Sequence, residues 1–98
     1  MLHFKFQLMK LQELHIQLKE LGIPEEKYYL HGLYGSSSDD NKFSLVIRKG
    51  FCSVEYEFYF KERGVKHSSR TFTNEDEACQ YFYKRLKENK EIEDKYSK

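Results

Sequence analysis

The strictest constraint in this 98-residue chain is a two-residue rhythm in its middle. Phe43, Leu45 and Ile47 alternate with Ser44, Val46 and Arg48; Cys52, Val54, Tyr56, Phe58 and Phe60 then alternate with Ser53, Glu55, Glu57, Tyr59 and Lys61. Successive side chains of a strand point to opposite faces, so the pattern requires two strands with one apolar side. A two-residue turn at Lys49-Gly50 sets Ile47 against Cys52, Leu45 against Val54 and Phe43 against Tyr56. Phe43, Leu45, Ile47, Cys52, Val54 and Tyr56 then share one face, which a one-residue slip would destroy.

Arg63-Gly64 makes a second such turn. It pairs Glu62 with Val65, Phe60 with His67, Phe58 with Ser69 and Tyr56 with Thr71, and on the other face Glu57 with Arg70 and Tyr59 with Ser68. Opposed charges across strands contribute about 0.2–1 kcal/mol, so Glu57–Arg70 supports this register. The strand from Val65 to Phe72 is polar and fits a sheet edge, where Lys66 and Arg70 discourage further pairing.

Helices bracket the sheet. From about Phe4 to Leu21, Leu8, Leu11, Leu14, Leu18 and Leu21 fall within an arc of about 140°. Gly22 suits the position just past a helix end, and Pro24 stops any continuation. Phe6, Met9 and Ile16 lie on the other side of this helix, to be covered either by a loop or by a partner. The second helix begins at Thr73-Asn74, where Asn74 with Glu77, or Thr73 with Asp76, forms a cap and acid three residues apart. Ala78, Cys79, Phe82 and Leu86 form its apolar face, flanked by Tyr81 and Tyr83. Beyond Leu86 a solvated extension carries Lys84–Glu88, Lys87–Glu91 and Glu91–Lys95 at i,i+4, with Ile92 as its one possible anchor.

Tyr28 to Tyr34 reads as a first strand weakened by Gly32, followed by the polar loop Gly35 to Asn41. The expected fold is α+β in the order α-β-β-β-β-α: one domain, a four-stranded antiparallel meander with two helices packed on one face. The expected bounds are about 4–21, 28–72 and 74–94 for the first helix, the sheet and the second helix. Eight Phe and eight Tyr make the core of so short a chain feasible.

Charge and motifs exclude several functions. Seventeen Lys+Arg against sixteen Asp+Glu leave a net charge of +1, which argues against a large phosphate-binding surface. No run approaches the roughly 18 apolar residues of a membrane span, and charges interrupt the first 21 residues as no export signal would allow. Cys52 and Cys79 are too few for a disulfide scaffold and read as reduced cytoplasmic thiols on core faces. His3, His15, His31 and His67 stand singly, so neither a metal nor a cofactor is expected; His15 belongs to the edge of the core. Asp39 and Asp40 lack the alternate spacing of a calcium loop. Ser36, Ser37 and Ser38 lack a nucleophile elbow, and Glu55, Glu57 and Tyr59 share an outer face with nothing to shift their titration, so no catalytic residue is expected. A double-stranded-RNA-binding domain would place a basic cluster where this chain has Glu75-Asp76-Glu77.

What remains is a protein-binding module whose outer face presents Val46, Glu55, Glu57, Tyr59 and Arg70, with Phe51 and Phe72 near its ends. The stretch Val54 to Leu86 carries Tyr59-Phe60-Lys61-Glu62-Arg63-Gly64, then Arg70-Thr71-Phe72-Thr73-Asn74-Glu75-Asp76-Glu77-Ala78-Cys79 and Tyr81-Phe82. Together with Tyr28 to Gly35 upstream, it resembles small bacterial immunity proteins of polymorphic toxin systems; the first helix lies outside the likeness. The aromatic that this group carries after the first hairpin turn is here either Phe51 or Tyr56. The resemblance implies a cytoplasmic protein, not an enzyme, that neutralises a cognate toxin by occluding its active site or an essential surface. Acidic groups suit a toxin that is a basic nuclease. The expected contacts are Glu55, Glu57, Tyr59 and Arg63, then Asp39 and Asp40. The alternative is a small cytoplasmic α+β protein acting as a homodimer through its first helix or as a weak RNA-binding module.

Overall fold

A computed structural model describes residues 8–96. It is an α+β fold: helix α1 (Leu11–Glu20), a 3-10 turn (Glu25–Lys27), strands β1 (Tyr28–Leu30), β2 (Tyr34–Gly35), β3 (Phe43–Lys49), β4 (Val54–Glu62) and β5 (Val65–Phe72), and helix α2 (Glu75–Tyr96). The sheet has five strands in the order β2-β1-β3-β4-β5, not four in a meander. Its β1 runs parallel to β3 and antiparallel to β2. The segment expected as one strand turns back on itself at His31 and Gly32, whose φ angles of 53° and 74° end β1. The chain then crosses from edge strand β2 over to β3, which makes the sheet mixed.

Two strand registers differ from expectation. Leu45 pairs with Phe58 and Ile47 with Tyr56, because the β3–β4 turn spans Gly50 to Ser53, closed by the Gly50 amide donating to the Ser53 carbonyl at 2.7 Å. A tight turn of the favoured type needs positive φ at both central residues, and neither Lys49 nor Gly50 has it. The wider turn lets the aromatic run Tyr56 to Phe60 pair along the whole of β3. The slip is even, so the apolar face survives, but Cys52 and Val54 leave the core and are exposed.

At the other turn Arg63 (φ 53°) and Gly64 (φ 80°) form the expected tight hairpin, and Phe60 pairs with His67 as expected. A bulge at Ser68 (φ 58°) then shifts the ladder, so Phe58 faces Arg70, Tyr56 faces Phe72 and Glu57 faces Thr71. Arg70 and Phe72 therefore lie on the inner face, not the outer, where Phe72 packs 5.4 Å from Tyr81. The expected Glu57–Arg70 pair does not form. As expected, β5 is an edge strand.

The helices cover the inner face. Leu14, Leu18, Tyr28, Leu30, Leu45, Phe58, Ala78, Cys79 and Phe82 are almost wholly buried together. Phe58 meets Tyr81 and Phe82 edge-on at 5.0 and 5.8 Å, a favoured aromatic geometry. In α1 the expected turns from Phe4 to Gln7 lie outside the described residues, and Leu8 to Lys10 are not helical. The helix starts at Leu11 because α2 supplies its caps: Glu75 accepts the Leu11 amide at 3.1 Å and Asp76 accepts the Met9 amide at 2.6 Å. That entry buries Met9 and exposes Leu8, reversing the helical-stripe assignment of both. The far end closes as expected, with Gly22 (φ 87°) donating to Lys19 and Ile23 to Leu18.

In α2 the Asn74 side chain accepts the Glu77 amide at 3.0 Å, and the expected apolar face is buried. Its extension is tied down differently from expectation. Ile92 is more than half exposed, and Lys27–Glu93 and Lys90–Asp94 ion pairs hold this stretch.

Candidate functional site

The outer face of β3, β4 and β5 is where the sequence places a wet binding surface. Its centre is dry. Glu57 keeps 7% of its surface and Tyr59 3%, because charged side chains and the crossing segment between β2 and β3 fold over them. Lys66 donates to Glu57 Oε1 at 3.1 Å, Arg48 to the same oxygen at 3.4 Å, and Ser69 to Oε2 at 3.3 Å. Lys66 also stands 4.5 Å over the Tyr59 ring. Arg48 reaches on to Glu55 at 3.3 Å.

The Tyr59 hydroxyl donates to Asp39 at 2.6 Å, and Lys61 lies 3.4 Å from the same carboxylate. Tyr59's hydrogen bond, then Lys61, holds the Asp39 carboxyl below its usual range against the opposing effect of burial. Burial, reinforced by Asp39, pushes the Tyr59 phenol well above the ordinary tyrosine range. Thus Glu57, Tyr59 and Asp39 come together as one internally satisfied network, with Glu55 attached through Arg48. Asp40 and Arg63 stay outside it and face solvent. Composition marked the acids; it carried no sign of the loop and cations that neutralise them.

A different surface stands open at the end of the sheet where β3 finishes. His31 extends β1 there, its amide donating to Leu45 O at 2.8 Å while its Nδ1 accepts the Ile47 amide at 3.0 Å. The turn of His31, Gly32 and Leu33 and the turn Gly50 to Ser53 therefore share this end. Phe51 at the second turn is fully exposed, and Leu33 and Val54 expose 64% and 46% of their surface. Arg48, Lys49 and Glu55 occupy the strand ends that flank the second turn. The sequence signal for Phe51 was a large aromatic beside a turn glycine; Leu33 and Val54 gave none, since both read as strand residues.

His15 lies at the core edge as expected, stacked 4.9 Å from Tyr34 and hydrogen-bonded through Nδ1 to the Tyr28 hydroxyl at 2.9 Å. Among the described residues no three His, Cys, Asp or Glu side chains are grouped to hold a metal ion, and no helix is long and apolar enough to cross a membrane. The chain matches no protein-family model, no curated protein and no solved structure.

Proposed function

We propose that this chain is a non-catalytic protein-binding module, an immunity protein that neutralises a cognate bacterial toxin in the cytoplasm by direct contact. The observation that carries the reading is Phe51, a phenylalanine left wholly in water at a turn and accompanied by Leu33 and Val54 at the same sheet end. Burying such a side chain is worth about 1.5–3 kcal/mol, which makes it an effective anchor for a partner. The charged residues Arg48, Lys49 and Glu55 at the neighbouring strand ends add register and orientation to the contact. The resemblance of residues 54–86 to immunity proteins supplies the class of partner.

The proposed contact moves from the centre of the outer face to its end. Glu57, Tyr59 and Asp39 act as the frame behind the surface, since each is already engaged within the chain. Glu55, Asp40 and Arg63 remain candidate contacts at the periphery. A toxin that is a basic nuclease would meet fewer free acids here than composition alone suggests.

The test is co-expression with the toxin encoded beside this gene, with capture of the complex from the native host. Survival that requires this protein, together with direct capture of the toxin, supports the reading. Survival indifferent to it ends the reading. A second reading, a homodimer through α1, rests on the exposed Ile16; a dimeric mass in solution that I16E makes monomeric would favour it.

A further inference from the structure

Two guanidinium groups from different elements converge on one phenol. Arg85 in α2 donates through Nη1 to the Tyr81 hydroxyl at 2.9 Å. Arg70 stands 4.9 Å over the Tyr81 ring, brought to the inner face by the bulge at Ser68. Aromatic faces hold both in place: Phe72 lies 5.7 Å from Arg70, and Phe58 and Phe43 lie 5.3 and 5.7 Å from Arg85.

Among the described residues neither arginine has a counter-charge. Lys19, Lys27, Arg48, Lys61, Lys66 and Lys90 each have a carboxylate within 4.0 Å, whereas among the described residues Arg70 and Arg85, like Arg63 and several exposed lysines, have none; what sets Arg70 and Arg85 apart is that both are held against the same phenol. An aromatic face orients a guanidinium but leaves its N–H edge unused. Arg85 commits one N–H to Tyr81, and the Tyr81 hydroxyl proton remains available to donate. Burial alone would raise the Tyr81 phenol, yet Arg85 and then Arg70 together hold it below the ordinary tyrosine range. Of the three donors only Arg85 also lines a cavity of about 780 Å³, with Phe43, Phe60, His67 and Ser68, so a ligand larger than the oxyanion has space to extend past Arg85.

We propose that this corner binds an oxyanion, the phosphate or carboxylate group of a small ligand, held between Arg70 and Arg85 with the Tyr81 hydroxyl as third donor. The site lies on the inner face of the sheet, opposite Glu57, and does not depend on the immunity reading. Planar guanidinium forks match phosphate and carboxylate oxygens, and charge-assisted bonds of this kind are about twice as strong as neutral ones.

The test is a nuclear magnetic resonance titration of the arginine side-chain N–H signals with inorganic phosphate and, separately, acetate, at ionic strength held constant with chloride. The expected result is a saturable shift at Arg70 and Arg85. Tighter phosphate binding assigns a phosphate-bearing ligand, and tighter acetate binding assigns a carboxylate. R85Q and R70Q should each weaken binding by roughly tenfold, and R85K should restore only part of it because lysine keeps the charge but not the fork. Y81F retains the ring and its packing, so its weakened binding reads the third donor even where an arginine variant unfolds. Shifts no greater than those of chloride, or saturable binding that none of these variants alters, would overturn the proposal.

Discussion

The hydroxyl of Tyr59 donates a 2.6 Å hydrogen bond to Asp39, twenty residues earlier in the chain. That contact clamps the segment joining edge strand β2 to β3 over the outer face of the sheet, and Lys61 adds its charge to the same carboxylate. A face that alternation alone makes wet becomes part of the interior.

Breaking the clamp should show as both a stability loss and a changed pH profile. Y59F removes one buried hydrogen bond and should lower stability by about 1 kcal/mol. Because the folded state depresses the Asp39 carboxyl, its contribution is present above the unfolded value of about 4 and is lost as pH falls through the lower folded value. Urea unfolding between neutral and acid pH should therefore give D39N a shallower acid decline than the native sequence. Parallel declines would contradict the clamp.

The two cysteines should behave oppositely. Cys79 is buried, and burial, with Glu75, Asp76 and Glu13 adding, pushes its thiol up to about 12, whereas Cys52 lies exposed in the β3–β4 turn. Only the thiolate attacks a disulfide reagent. Near neutral pH the folded protein should release one equivalent of chromophore and the denatured protein two, with C52S leaving no reactive thiol in the folded state. The raised Cys79 thiol contributes stability below the unfolded value of about 8.5 and loses it as pH climbs toward the folded value. Tyr28, raised by burial and then Glu25 to about 12, adds to the same alkaline decline above about pH 10.

The β3–β4 register separates Phe58 from Val54. Phe58→Ala should cost about 3–5 kcal/mol, since the ring is wholly buried between Tyr81 and Phe82. Val54→Ala should cost less than about 1 kcal/mol, because Val54 faces Lys49 beside the turn and is nearly half exposed. A tight turn at Lys49-Gly50 would bury Val54 against Leu45 and make both substitutions severe. Comparable losses in thermal unfolding would restore that tighter register.

These residues also mark what a sequence can disclose. Period-two alternation placed Phe58 and Phe60 on the inner face, which an even slip preserves; Phe58 is wholly buried there and Phe60 partly. At Arg63-Gly64 the glycine at a polar break marked a tight hairpin that formed, whereas the same signal at Lys49-Gly50 misled, because neither residue there adopts the left-handed conformation such a turn needs. The caps at Asn74 and Gly22 were equally local. The bulge at Ser68 was not: no glycine marks it, and its gain, burying Phe72 beside Tyr81, exists only once α2 is in place. Nor was the burial of Glu57 and Tyr59, which depends on a crossing segment whose path follows from a parallel pairing of only three residues, Tyr28 to Leu30, with β3.

Of the glycines, Gly35 is the least able to change. Its φ of 80° lies in the left-handed region, and a Cβ there would strike the Tyr28 carbonyl and ring. Gly35→Ala should destabilise by more than about 1 kcal/mol in urea unfolding, whereas Gly64→Ala, with the same sign of φ but open space around it, should cost less.

The most direct test of the account is toxin affinity measured for F51A beside Y59F. If the exposed sheet end is the anchor and the outer-face network only its frame, F51A should keep the native melting temperature and lose at least about thirtyfold in affinity, as a hot spot does. Y59F should melt earlier yet bind the toxin as tightly as the native chain. Undiminished binding by F51A, with the loss falling on Y59F instead, would contradict the account and return the contact to the centre of the outer face.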